Sequence, residues 1–175
     1  MPVQFSESAE QQFQHILTKY PSGHRRAALL PTLYLAQREF GYVSVEAMDY
    51  VATRLELPPA KVLQVATFYT MFNKRKVGTY HIQVCKSISC AVMGGYSLLE
   101  YLEEELGIER GETTADGMFT LSEAECLAAC DKAPMLQCNE DYSDCLGGPT
   151  ADGLWPAVDA LLERLRDGKG VLEGS

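Results

Sequence analysis

A chain of 175 residues with 46% hydrophobic content is long enough for one domain or two small ones around a real core, and no stretch approaches the ~20 apolar residues of a membrane span. Charge divides it: residues 1–77 carry nine positive and six negative side chains, net +3, whereas residues 78–175 carry six and eighteen, net −12. Nucleic acid is a poor partner for such a chain, because only Arg25-Arg26 and Lys74-Arg75-Lys76 offer a basic patch and both read as solvated helix ends.

The first half reads as helices. The N-terminus, Met1 to Glu7, has neither the basic nor the apolar region of a secretory signal, which predicts a reducing cytosol. Phe5 to Lys19 forms a first helix, broken by Tyr20-Pro21-Ser22-Gly23. Arg25 to Phe40 forms a second, ended by Gly41, in which Pro31 should bend or split the first turns. Ser44 caps a third helix running to Leu55, with Met48, Val51, Ala52 and Leu55 on one face. Pro58-Pro59 opens a fourth. In it Val62, Val65, Ala66, Tyr69 and Phe72 form one stripe, which Phe68 and Met71 widen. An aromatic stripe at helical spacing is ordinarily core, but a helix apolar most of the way round must bury more than one face, against a second domain or a partner. Four short helices with short connections make a small bundle, and none of them offers base-reading residues of a recognition helix.

Helical periodicity stops at Val77-Gly78. From Thr79 to Val84, Tyr80, Ile82 and Val84 alternate with Thr79, His81 and Gln83, the period of a half-buried strand; His81 belongs to the polar set and reads as a surface or sheet-edge residue. Ala91 to Leu106 reads as a helix with Leu98, Leu99, Leu102 and Leu106 inward and Glu100, Glu103 and Glu104 outward, ended by Gly107. Gly94-Gly95 falls in its first turns, where either close backbone approach is needed or the helix has not settled. Met118 to Leu121 and Met135 to Asn139 read as short strands, and Leu154 to Arg166 as a closing helix with Val158, Leu161, Leu162 and Leu165 inward. A strand-helix start and a strand-strand-helix end give an α/β layer of the thioredoxin type, yet no Cys-x-x-Cys is present for thioredoxin-like exchange.

The chemistry lies in the cysteines. Cys85-Lys86-Ser87-Ile88-Ser89-Cys90 and Cys126-Leu127-Ala128-Ala129-Cys130 are separated by 35 residues, so the two pairs meet only if the intervening chain folds back. Three uses are open: structural disulfides, which a reducing compartment disfavours; a structural zinc with four cysteine ligands; and a [2Fe–2S] cluster in which each pair chelates one iron. Small and apolar neighbours, Ser87, Ile88, Ser89, Ala91, Leu127, Ala128, Ala129, Ala133 and Pro134, favour the cluster, since they exclude water and leave backbone N–H groups for sulfur. Cys90 is expected just before a helix, where partial positive charge favours thiolate. Lys86 and Lys132 adjoin the cysteines and offset some negative charge, although an isolated lysine is ordinarily a solvated surface residue.

The Cys-x4-Cys…Cys-x3-Cys arrangement, the following Ala133-Pro134-Met135-Leu136-Gln137 and the upstream Val65-Ala66-Thr67-Phe68-Tyr69-Thr70-Met71-Phe72 together resemble the small [2Fe–2S] subunit of NADH:quinone oxidoreductase (respiratory complex I), in the thioredoxin-like [2Fe–2S] ferredoxin family. The resemblance runs from about Phe13 to Arg166. It implies that Cys85, Cys90, Cys126 and Cys130 ligate the iron of the cluster, and that Cys138 and Cys145 do not: Cys138 is expected to be a buried small hydrophobe on a strand and Cys145 a free thiol in a loop.

The expected architecture is α+β, a helical docking bundle over residues 1–77 followed by a thioredoxin-like [2Fe–2S] domain over 78–175. The expected role is electron transfer without catalysis by this chain. The resemblance implies that FMN and NADH sit on a larger partner subunit, among other peripheral-arm subunits; this chain has no G-x-G-x-x-G after a strand to bind a dinucleotide itself. The complex would lie in the cytoplasm, peripheral on the inner face of the cell membrane. Equivalent subunits of an NAD-linked hydrogenase or formate dehydrogenase, and a zinc-stabilised adaptor, are the alternatives.

Overall fold

The computed structural model describes residues 3–143 and 146–169, and the chain divides into two compact units, Met1–Lys76 and Val77–Ser175. In the first unit, α1 (Glu7–Thr18) is followed by a 3-10 turn, Arg25–Ala28, that runs directly into α2 (Leu29–Phe40), then α3 (Val45–Leu55) and α4 (Pro59–Phe68). Side-chain caps start two of these: the Ser6 hydroxyl accepts from the Ala9 N–H and the Ser44 hydroxyl from the Ala47 N–H, each satisfying a backbone donor that the helix cannot. The 3-10-to-α change at Ala28 leaves Pro31 in the first turn of α2, where its missing N–H costs nothing. Phe13, Leu33, Val51, Leu55, Val62 and Phe72 are among the buried residues of the core.

The stripe expected on the fourth helix is divided. α4 ends at Phe68, and Tyr69 is extended at φ −89°, ψ 119°. The turn of the chain there sends Phe72 into the core at 1% exposure and leaves Phe68 76% exposed, with Tyr69 half-buried between them. Met71 is exposed too. Helical spacing could not reveal this, because the helix stops inside the stripe.

The second unit runs β1 (Tyr80–Cys85), α5 (Ile88–Val92), α6 (Gly95–Leu106), β2 (Phe119–Ala124), a 3-10 turn at Cys130–Lys132, β3 (Leu136–Cys138), β4 (Asp141–Ser143) and α7 (Pro156–Arg166). The sheet order is β2-β1-β3-β4. β1 pairs in parallel with β2, from Tyr80 opposite Phe119 to Cys85 opposite Ala124, and antiparallel with β3. Ile82, Val84, Leu121 and Leu136 from the strands share a core with Leu98, Leu99, Leu102, Val158, Leu162 and Trp155; fully burying each aliphatic side chain contributes roughly 1.5–3 kcal/mol. His81 sits on the polar side, its Nε2 2.7 Å from Ser122 Oγ.

Two features depart from the expectation. The single helix over 91–106 is two, α5 and α6, with Gly94 between them in the left-handed region at φ 98°. A fourth strand, β4, pairs with β3; Asp141, Tyr142 and Ser143 are largely exposed and carry no apolar alternation to announce it. Cys138, in β3, is fully buried, whereas Cys145 lies outside the described residues. Among the described residues no helix is long and apolar enough to cross a membrane.

Candidate metal centre

Parallel pairing is what brings the two cysteine pairs together. The C-terminal ends of β1 and β2 lie side by side, so Cys85, last in β1, stands opposite Ala124, last in β2, and Cys126 follows two residues later. Cys90, in α5, hydrogen-bonds with Cys85, and Cys130, after β2, lies close enough for its charge to act on Cys90. The Cys85 N–H donates to the Met135 carbonyl at 3.0 Å, tying the entry of β3 to the same corner.

Glycine is required where these elements converge. A Cβ on Gly95 would lie 2.9 Å from the carbonyl oxygens of both Cys85 and Cys90, closer than packed carbon and oxygen tolerate. The first turn of α6 therefore rests directly on the backbone that presents both cysteines. This answers the open question about Gly94-Gly95 in favour of close approach.

The pairs differ in environment. Cys85 and Cys90 are 3% and 2% exposed and pack with Leu127 and Met135, with Ala124, Ala129 and Ala133 half-buried around them. Cys126 and Cys130 are exposed. Shielding is thus one-sided, and Ile88, expected to contribute to it, is instead 80% exposed. Backbone N–H groups do reach sulfur, as the sequence suggests: Ala128 N–H donates to Cys126 Sγ at 3.3 Å, with Ala128 in the left-handed region at φ 57°, and Met135 provides a backbone hydrogen bond to Cys90.

The expectation of a thiolate-favouring helix start at Cys90 is corrected. Cys90 lies inside the five-residue α5, and its thiol is pushed up to about 11 by burial first, then by the hydrogen bond with Cys85 and by the charges of Cys85 and Cys130. The same interactions place Cys85 and Cys130 within electrostatic reach of Cys90. Lys86 does not stand as an uncompensated cation: its Nζ pairs with Glu123 Oε1 at 2.8 Å and Glu125 Oε1 at 3.0 Å.

All five described cysteines are free thiols. Among the described residues no three His, Cys, Asp or Glu side chains gather closely enough to hold one metal ion. A contacting buried pair and an exposed pair on adjoining elements offer two thiolates to each of two irons, and the same four sulfurs would also suit one tetrahedral zinc. The free thiols of Cys85, Cys90, Cys126 and Cys130 are a donor set compatible with a [2Fe–2S] cluster. Lys86, Gly95 and Met135 complete the surroundings; of these, neither the glycine contact nor the Met135 backbone could be assigned to the centre from spacing alone.

Comparison with known proteins agrees with this chemistry. An NADH-quinone oxidoreductase subunit of Rickettsia conorii (strain ATCC VR-613 / Malish 7) is 46% identical over 149 residues, 85% of this chain and 87% of that protein. Its counterpart in the NADH-quinone oxidoreductase of Rhizobium meliloti (strain 1021) is 41% identical over 153 residues, 87% of this chain and 86% of that protein. Among solved structures, an NAD+-reducing [NiFe]-hydrogenase in the air-oxidized state superposes with a TM-score of 0.68 at 23% identity, covering 84% of this chain and 24% of that one. The H2-reduced state of such an enzyme gives 0.69 at 22%. These structures share the fold, and this chain spans about a quarter of their length. The family model for thioredoxin-like [2Fe-2S] ferredoxins matches residues 13–154, and the chain belongs to that family.

Proposed function

We propose that this protein is the electron-transfer subunit of an NADH:quinone oxidoreductase, holding one [2Fe–2S] cluster on Cys85, Cys90, Cys126 and Cys130 beside a partner that binds FMN and NADH. The observation that carries the reading is the two-plus-two arrangement of free thiols at the paired ends of β1 and β2, in a chain whose relatives bear that oxidoreductase's name over 85% or more of its length. A bound cluster of this kind takes up and passes on one electron at a time.

The residues around the centre suit that task. Leu127 and Met135 exclude water on the side of Cys85 and Cys90, while the exposed Cys126 and Cys130 leave a short path to a docked partner. The Ala128 and Met135 N–H groups stabilise negative charge on sulfur. Catalysis belongs to the assembly, which lies in the cytoplasm on the inner face of the membrane, and the first 77 residues serve as a docking bundle. The exposed Phe68 and Met71 support that last assignment: deleting residues 1–77 should weaken binding to the flavin-bearing partner, and equal affinities of the truncated and full chains would return them to ordinary surface.

Likeness in fold to a hydrogenase supports a second reading, in which the same subunit serves an NAD-linked hydrogenase or a formate dehydrogenase. Co-purification from the native cell distinguishes these assemblies. Iron and acid-labile sulfide analysis of anaerobically purified protein, with EPR after reduction, tests the centre itself. Two irons, two sulfides and a signal on one-electron reduction are expected; zinc alone with no signal would make the chain a structural adaptor.

A further inference from the structure

The two cysteine pairs are joined by more than the sheet. Lys86 follows Cys85 at the end of β1, and its backbone N–H donates to the Ala124 carbonyl at 3.0 Å, one step beyond the last register pair. Its ammonium then reaches Glu123 at 2.8 Å and Glu125 at 3.0 Å. Glu125 directly precedes Cys126, so one side chain spans from the residue after one ligand to the residue before another. Glu123 also faces Arg110, whose Nη1 lies 3.8 Å away, while Arg110 pairs mainly with Glu103 at 3.0 Å. The Lys86 side chain is 26% exposed, partly withdrawn from water beside an exposed cysteine pair whose own segment offers little cover.

We propose that Lys86 is a positioning residue for the cluster: it straps the Cys126–Cys130 segment to the end of β1 and keeps two carboxylates from facing the thiolates unpaired. The inference rests on the [2Fe–2S] reading of the site. Without the ammonium, Glu123 and Glu125 would repel an anionic four-thiolate centre, and the exposed half of the ligand set would open more readily. Partners that orient ligands from the outer shell matter to metal retention in this way, typically by 10–100-fold.

The test is the rate at which the anaerobically purified, cluster-loaded full chain releases iron to a chelator. Lys86→Gln should release it roughly tenfold faster than wild type at low salt, and Lys86→Arg, which keeps the charge, should restore most of the retention. Because the Debye length falls from ~10 Å at 0.1 M to ~3 Å at 1 M salt, added salt should accelerate release from wild type by weakening the strap, and should not accelerate release from Lys86→Gln, where it screens the repulsion of the two carboxylates instead. Glu125→Gln should also accelerate release, and Lys86→Gln with Glu125→Gln together should be no worse than either alone. Equal release by wild type and Lys86→Gln, or equal salt dependence, would overturn the proposal. If the wild-type chain holds no iron or sulfide, the cluster reading itself fails. Hydrogen exchange of residues 125–130 then decides the strap alone: faster exchange in Lys86→Gln than in wild type supports it, and identical exchange removes it.

Discussion

Cys126 and Cys138 show how little a residue's type says about its use. Both are free thiols, but Cys138 is fully buried in β3, where burial first and then the charge of Asp141 push its thiol up to about 12, so it behaves as a small hydrophobe. Replacing Cys85, Cys90, Cys126 or Cys130 by Ser should abolish or strongly perturb the cluster spectrum, because a hydroxyl is a poor substitute for a soft thiolate; Cys138→Ser should preserve it. A normal spectrum after Cys126→Ser would show that the wrong four were assigned. A different residue-scale effect holds the helical unit. The Arg54 guanidinium donates to both Glu10 oxygens at 2.6 Å and to Tyr50 Oη at 2.7 Å, and lies 4.4 Å from the Phe13 ring centre. The hydrogen bond from Arg54 chiefly holds the Glu10 carboxyl down at about 2, from an ordinary 4.5. A depressed carboxyl contributes stability that is present above pH 4.5 and is lost as pH falls through 2. Glu10 is 37% exposed, so solvent screening limits the contribution to about 1 kcal/mol. Glu10→Gln should therefore lower stability by about 1 kcal/mol at pH 7 and by almost nothing near pH 2, measured by urea denaturation at the two pH values.

At the scale of elements, the cysteine corner depends on a helix break. Gly94 turns the chain in the left-handed region, and Gly95 then lets α6 settle on the carbonyls of Cys85 and Cys90. Alanine at 95 would favour the helix by up to about 1 kcal/mol, but its Cβ meets two backbone oxygens at 2.9 Å, and neither can move without displacing a cysteine. The clash wins. Gly95→Ala should cost about 1–3 kcal/mol and lower the iron content of the purified protein, measured by denaturation and metal analysis; wild-type iron content would show that the corner tolerates displacement. The sequence carries the elements around this corner well, because Ile82 with Val84 and Leu98 with Leu99 and Leu102 alternate or repeat as a one-sided strand and a one-sided helix must. Charge pairing was invisible in it: Lys86 lies 37 positions from Glu123, and only the parallel register makes them neighbours. The fate of Phe68 was equally hidden, since the helix ends within the apolar run and the side chains beyond it follow a different backbone. β4 escaped because its residues gain their pairing from β3 without burying a face.

Across the whole molecule, charge bears on the direction in which electrons move. Residues 78–175 carry a formal net charge of −12 against +3 for residues 1–77, and one-electron reduction would add negative charge at a four-thiolate centre already anionic. That field opposes reduction, but much of it is screened: Glu104, Glu105, Glu140 and Asp141 are exposed, and the Debye length is only ~8 Å at physiological salt. Other carboxylates are paired, Glu103 with Arg110 and both Glu123 and Glu125 with Lys86, so the acidic surface acts more weakly than its count suggests. In the proposed centre, all-cysteine ligation would be the larger effect. Exchanging two thiolates for histidines, as in Rieske centres, raises potentials to roughly −150 to +300 mV, against about −400 mV for plant-type centres. One-sided burial acts in the same direction as the thiolates at Cys85 and Cys90, where little water is present to stabilise the added charge, while exposed Cys126 and Cys130 moderate it. The loaded protein should therefore be reduced by dithionite and poorly by ascorbate, with a midpoint at the low end of this range that shifts when a partner covers the acidic surface. A redox titration of the isolated chain, repeated with the flavin-bearing partner, measures both, and a midpoint above zero would contradict the ligand assignment and the charge argument together.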